Sequence, residues 1–198
     1  MKIGLYAAMD NGPVKDQRIA YIAVDQGLTH LYKQGIKPLL AIGDFDSLED
    51  QKLLEDLQVE RHPVQKDDTD TALAIKYAIA QGYDEIDVYG VLGGRADHML
   101  AALCLLVQYP DTKITLYDRQ NKITYLPKGH HHIPVSDDYF SLFALKDTVL
   151  SLNHCQYPLD HYLLKPFDPL CVSNTCEDYV LIDNSEAVLF LQTNNEGE

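Results

Sequence analysis

The sequence predicts an α/β fold in two parts: an N-terminal domain with a mostly parallel sheet, residues 1–120, then a C-terminal all-β sandwich, residues 121–198. Two observations predict it. Up to about residue 120, short apolar runs alternate with stretches of helical periodicity, the pattern of βα units around a parallel sheet. Beyond it, seven short runs rich in β-branched, Leu and aromatic residues, from Asn121–Leu126 to Ala187–Gln192, follow one another with only turn residues between them.

The elements of the first domain follow in order. Lys2–Ala8 reads as a strand and Asp10-Asn11-Gly12-Pro13 as a turn-rich loop. Tyr21–Val24 is a second strand, ending at Asp25-Gln26-Gly27. Leu28–Gln34 is a helix, stopped by Gly35 with Pro38 soon after. Leu39–Ile42 is a third strand, and it delivers Gly43-Asp44-Phe45-Asp46-Ser47. A helix is expected over about Glu49–Leu57, and an edge strand over Val59–Val64, because Pro63 cannot donate to a ladder. Thr71–Gln81 is a strong helix with Gly82 as its stop; apolar residues cover much of its circumference, so it should be largely buried. The acidic residues ahead of it, Asp67, Asp68 and Asp70, suit a helix N-terminus. Ile86–Tyr89 is a strand, Asp97–Gln108 a helix and Lys113–Tyr117 the last strand of the series.

Composition narrows the function classes. The net charge of −14 is shared about evenly between the two halves. Nucleic-acid and anionic-membrane binding need basic patches, so both are excluded as expectations. No apolar run is long enough to span a bilayer, and Met1–Ala8 is too short in its apolar part for a secretory leader. The four cysteines, Cys104, Cys155, Cys171 and Cys176, form no C-x-x-C pair, so thiols and a cytoplasmic location are expected. His130, His131 and His132 fall on one strand, where consecutive side chains point to alternate faces, and so do not share one metal ion.

The chemistry lies at strand ends. Asp44 and Asp46, one residue apart after a strand, can both turn toward one divalent cation, and hard carboxylate oxygens suit Mg²⁺. Gly93-Gly94-Arg95 between a strand and a helix supplies free backbone N–H groups and a guanidinium for an anion. In a parallel sheet ligands bind beyond the strand C-termini, where Asp25, Asp44, Asp46, Asp70, Arg95 and Asp97 all fall.

In this order, Asp25-x-Gly27, Gly43-Asp44-Phe45-Asp46-Ser47, Lys66-Asp67-x-Thr69-Asp70 and Gly93-Gly94-Arg95-x-Asp97-His98 resemble the motifs of the thiamine pyrophosphokinase family. Tyr139–Phe143, Tyr157-Pro158-Leu159 and Ser173-Asn174 resemble its C-terminal half. The resemblance implies a homodimer and transfer of a pyrophosphoryl group from ATP to thiamine. It implies Mg²⁺ on Asp44, Asp46, Asp70 and Asp97, and ATP against Asp25, Lys66, Thr69, Arg95 and His98. In that reaction Arg95 and Lys66 would neutralise phosphate oxygens, and Asp70 or Asp97 would take the alcohol proton as general base. Thiamine is expected near Ser173 and Asn174 across the dimer interface. The chain departs from the family pattern at Gln26, Asp68, Ala102, Cys155 and Cys171, and it has no Trp. Other readings stay open. A haloacid-dehalogenase-type phosphohydrolase also carries D-x-D after a strand, although Leu48 stands where that class has Thr or Val. A pyrophosphokinase for another alcohol, such as a hydroxymethylpterin, and a non-catalytic thiamine or nucleotide sensor are the remaining two.

Overall fold

The computed structural model describes residues 1–46, 48, 50–61 and 68–195. The chain divides into two compact units, Met1–Arg119 and Gln120–Glu198.

In the first unit six strands pair in parallel: β1 (Lys2–Tyr6), β2 (Ala20–Val24), β3 (Leu40–Gly43), β4 (Gln58–Arg61), β5 (Glu85–Tyr89) and β6 (Lys113–Tyr117). Their order is β4-β3-β2-β1-β5-β6. The chain therefore winds outward from β1 to β4, then crosses back to place β5 on the other side of β1. That reversal opens a crevice between the C-terminal ends of β1 and β5, the place where such sheets bind ligands. β4 is an edge strand, as Pro63 led us to expect, although the residues after Arg61 lie outside the described ones.

The helices are α1 (Gly27–Lys33), α2 (Asp70–Ala80) and α3 (Ala96–Gln108). α1 buries Leu28 and Leu31 against Tyr6, Tyr21, Ala23 and Ala41. Right-handed crossovers put α2 and α3, made after the reversal, on the opposite face. α2 buries Ala72, Ala74, Ile75 and Ala78 but leaves Ala80 exposed and Ile79 half-buried. It is thus one-sided rather than the largely buried helix its apolar content predicts. Alanines make this possible: they let the helix lie close to the strands while contributing little to an all-round stripe. The helix expected at Glu49–Leu57 is only a 3-10 turn, Gln51–Leu54, whose start is capped by the Asp50 carboxylate accepting from the Lys52 N–H at 3.1 Å. A segment this short does not recover the cost of nucleating an α-helix.

No helix joins β1 to β2. Residues 10–18 instead cross one face of the sheet, pinned by tyrosines. The Tyr6 hydroxyl donates to Gly12 O at 2.7 Å and the Tyr21 hydroxyl to Asp16 O at 2.6 Å, while the Lys15 N–H donates to the Tyr89 hydroxyl at 3.0 Å. The rings of Tyr6 and Tyr89 stack at 5.7 Å, and those of Tyr89 and Tyr117 at 5.3 Å.

In the second unit β7 (Asn121–Leu126), β13 (Val188–Thr193) and β9 (Tyr139–Ala144) pair antiparallel in that order. A four-stranded antiparallel sheet runs β11 (Leu159–Leu164), β10 (Thr148–Asn153), β12 (Tyr179–Asn184) and β8 (Gly129–Pro134). Phe140, Leu142, Leu150, Leu152, Val180, Ile182, Val188 and Phe190 form the core between them. β9, β10, β12 and β13 each contribute alternate residues, as the period of two dictates. The chain is α/β, with a parallel sheet first and an all-β sandwich second.

Candidate active site

Beyond β2, Asp25 takes a left-handed conformation (φ 49) and donates its N–H to Ile42 O at 3.0 Å. Its carboxylate lies against Gly43, the residue before Asp44. A Cβ on Gly43 would stand 1.8 Å from Asp25 Oδ1, and Gly43 itself has φ 147. Glycine here lets the Asp25 carboxylate lie against the β3 backbone just ahead of Asp44. Gly27 serves packing rather than a ligand, because a Cβ there would meet Tyr6 O at 1.8 Å. We expect Gly43→Ala to destabilise the chain by about 1–3 kcal/mol from the backbone alone, and to push the Asp25 carboxylate aside. A denaturant melt checks this, and a variant as stable as the wild type would show that the close approach is not needed.

After β3 the turn separates its side chains by exposure. Phe45 is buried in the core, while Asp44 is half-buried and Asp46 exposed. Asp44 Oδ1 accepts the Asp46 N–H at 3.0 Å, so the turn is held by Asp44. Arg61, at the end of β4, donates to Asp44 O at 3.4 Å and lies 5.6 Å over the Phe45 ring. Sequence reading missed this cation; its position at the end of an edge strand beside the D-x-D strand is the signal that points to it. Lys66, Asp67 and Ser47 lie outside the described residues.

The N-termini of α2 and α3 complete the rim. Thr69 caps α2, its hydroxyl accepting the Ala72 N–H at 3.2 Å, so the side chain expected on ATP has a structural partner here. Asp70 opens the helix, and Asp68 pairs with Lys76 at 2.6 Å. Arg95 stands at the start of α3 and grips Asp97 through two hydrogen bonds, Nε to Oδ1 at 3.1 Å and Nη2 to Oδ2 at 2.6 Å. Asp97 Oδ1 also accepts the His98 N–H at 3.0 Å. The Arg95 guanidinium holds the Asp97 carboxyl down at about 2.

Between these groups lies a cleft of about 420 Å³ at the reversal point. Asp25, Asp68, Thr69, Asp70, Arg95 and His98 line its polar part, and Ala7, Val91, Ala102 and Leu105 its apolar part. Asp44, Asp46 and Asp97 do not line it. Asp44 and Asp46 stand at the end of β3, where Gly43 adjoins Asp25, and Asp97 is engaged with Arg95. The carboxylates suit Mg²⁺ chemically. Among the described residues, though, no three His, Cys, Asp or Glu side chains stand together as a metal site. Mg²⁺ is ordinarily held by one or two carboxylates with waters and substrate phosphates, so a preassembled cage is not required.

In the second unit the Asn174 side chain is buried and engaged on both sides. Nδ2 donates to Tyr157 O at 2.9 Å, and Oδ1 accepts the N–H groups of Tyr157 and Thr175 at 3.0 and 2.9 Å. It ties two loops together. Ser173 beside it is exposed, with φ 59. His130 and His132 share one exposed face, His130 beside Asp183 at 3.2 Å and His132 stacked on Tyr179 at 4.2 Å, while His131 reaches Pro127 O at 2.9 Å.

The cleft thus lies at the reversal of a parallel α/β sheet, edged by carboxylates, a guanidinium and two helix N-termini, features that suit an anion. The family model for the thiamin pyrophosphokinase catalytic domain matches residues 14–117. The chain is 36% identical over 169 residues to the thiamine pyrophosphokinase of Bacillus subtilis (strain 168), covering 80% of this chain and 79% of that protein. The crystal structure of thiamine pyrophosphokinase from Bacillus subtilis superposes with a TM-score of 0.89 at 29% identity, over 98% of this chain and 100% of that one. A thiamin pyrophosphokinase family protein from Enterococcus faecalis superposes with a TM-score of 0.89 at 27% identity, over 99% and 100%. The chain belongs to the thiamine pyrophosphokinase family, enzymes that make thiamine diphosphate.

Proposed function

We propose that this chain transfers the pyrophosphoryl group of ATP to the hydroxyethyl oxygen of thiamine in the cleft of the first unit. The observation that carries this is the gathering of Asp25, Asp70, Arg95 and His98 around one cleft at the reversal point. The thiamine hydroxyl oxygen attacks the β-phosphorus, the bond from that phosphorus to the α–β bridging oxygen breaks, and AMP leaves. Arg95 exchanges Asp97 for phosphate oxygens, a shift that costs little because both side chains are exposed. The N-terminal end of α3 favours the same anion through its dipole. Asp70 takes the hydroxyl proton. Asp97 is the poorer base, since a carboxyl held near 2 gives little driving force at neutral pH. Mg²⁺ would be held by one or two of the carboxylates Asp44, Asp46 and Asp70 together with the phosphates, and would supply charge neutralisation.

Thiamine meets Ser173 across the homodimer interface, and Asn174 supports that loop from beneath. Ser173→Ala should raise the KM for thiamine several-fold and leave that for ATP within about two-fold. An unchanged thiamine KM in a folded variant would remove Ser173 from the site. A second unit this small gains from burying a face against a partner, which supports a homodimer. Light scattering at micromolar protein tests this. No helix among the described residues is long and apolar enough to cross a membrane, and ATP as co-substrate together with free thiols supports a cytoplasmic site of action.

The deciding experiment incubates the protein with Mg²⁺-ATP and thiamine and identifies products by mass. AMP with thiamine diphosphate is expected. ADP with thiamine monophosphate, or turnover only with a different alcohol, would replace this reading.

A further inference from the structure

The hydrogen bonds between β1 and β5 do not stop where the strands do. Ala7 N–H donates to Tyr89 O at 2.8 Å and Met9 N–H to Gly90 O at 3.0 Å. The next rung is made by a side chain. Asn11 Nδ2 donates to Leu92 O at 3.0 Å, and the Leu92 N–H donates to Asn11 Oδ1 at 3.2 Å. The amide of Asn11 thus stands in for a peptide group and pairs both backbone groups of Leu92. Asn11 is 8% exposed and Leu92 5%, so neither half of this pair is exchanged cheaply for water. Leu92 is the last residue before Gly93-Gly94-Arg95, both glycines lie at positive φ (84 and 64), and Arg95 starts α3. Asn11 therefore sets where the chain leaves the sheet to form the Arg95 end of the cleft.

We infer that Asn11 is a positioning residue for the phosphate-binding turn, acting through Leu92 on Gly93, Gly94 and Arg95. This rests on the pyrophosphokinase reading above. The loop carrying Asn11 keeps its other anchors without the amide: Gly12 O accepts from Tyr6, Asp16 O from Tyr21, and the Gly12 N–H donates to Asp10 Oδ1 at 3.0 Å. Losing the amide frees the turn rather than the loop. A reacting phosphate displaced by about 1 Å commonly costs about 10²-fold in rate.

The test is steady-state kinetics of Asn11→Ala and Asn11→Asp, well below their melting temperatures, with Asn184→Ala as control. Asn184 is a buried amide of the second unit whose Nδ2 bonds Pro127 O and Glu186 O at 2.9 and 2.8 Å. Asn11→Ala should lower kcat about 10- to 100-fold and raise the KM for ATP, with thiamine KM within about two-fold. Asn11→Asp keeps the acceptor for the Leu92 N–H but sets a carboxylate oxygen against Leu92 O, and should lose at least as much as Asn11→Ala. Asn184→Ala should lower the melting temperature with kcat unchanged. A wild-type kcat in folded Asn11→Ala, or an equal loss in the Asn184→Ala control, overturns the inference. So does failure of both Asn11 variants to fold, since the amide would then serve the whole unit. No turnover by the wild type would count against the pyrophosphokinase reading instead.

Discussion

Asp46→Asn is expected to lower kcat by about 10²–10³ without unfolding the protein, the loss typical of one preorganised electrostatic contact. The structure makes this a clean substitution. The turn after β3 is held by Asp44, whose carboxylate accepts the Asp46 N–H, and by burial of Phe45. The Asp46 carboxylate is exposed, and asparagine keeps its size and turn preference. What changes is one negative charge two residues on from Asp44. The substitution removes one of several acidic charges at this end of the sheet, so the metal-free melting temperature should stay equal or rise slightly. The paired measurements are kcat at saturating Mg²⁺ and ATP and a melt without metal. Near-wild-type kcat would remove Asp46 from the metal assignment.

Arg95→Ala should lower kcat/KM for ATP by about 10²–10³ with little change in stability. Arg95 and Asp97 are both largely exposed, so their pair is screened by water and contributes little to folding. The same substitution has a spectroscopic signature. Asp97 titrates at about 2 because Arg95 holds it, and the variant should let it rise toward the ordinary 3.8. The sign for stability follows. A depressed carboxyl adds stability that is present above 3.8 and lost as pH falls from there toward 2; the variant lacks that small contribution. A carbon-detected titration that leaves Asp97 near 2 in Arg95→Ala would show that another group holds it.

Most of the architecture was legible because it is periodic. The alternation that gave β1 to β6 and the period of two that gave the seven later strands both come from burial on defined faces, which sequence records directly. The segment at Glu49–Leu57 was not legible, because a marginal helix is decided by contacts and not by propensity. In the site, the carboxylates at strand ends could be found from position alone. Their partners could not. That Thr69 caps α2, that Asn174 clamps Tyr157, and that Arg95 holds Asp97 are facts of geometry that a motif does not carry. Asn11 read as an ordinary turn residue because its role depends on Leu92, 81 positions away in sequence.

In the proposed reaction, metal and nucleotide meet at the reversal of the parallel sheet. Mn²⁺ with a non-hydrolysable ATP analogue tests this most directly, read as paramagnetic broadening of backbone amides. Loss of signal is expected from Asp25, Gly43, Asp44, Asp70 and Gly93–Arg95. Broadening centred on His130, His132 and His161, with sharp signals at Asp44 and Gly94, would contradict it.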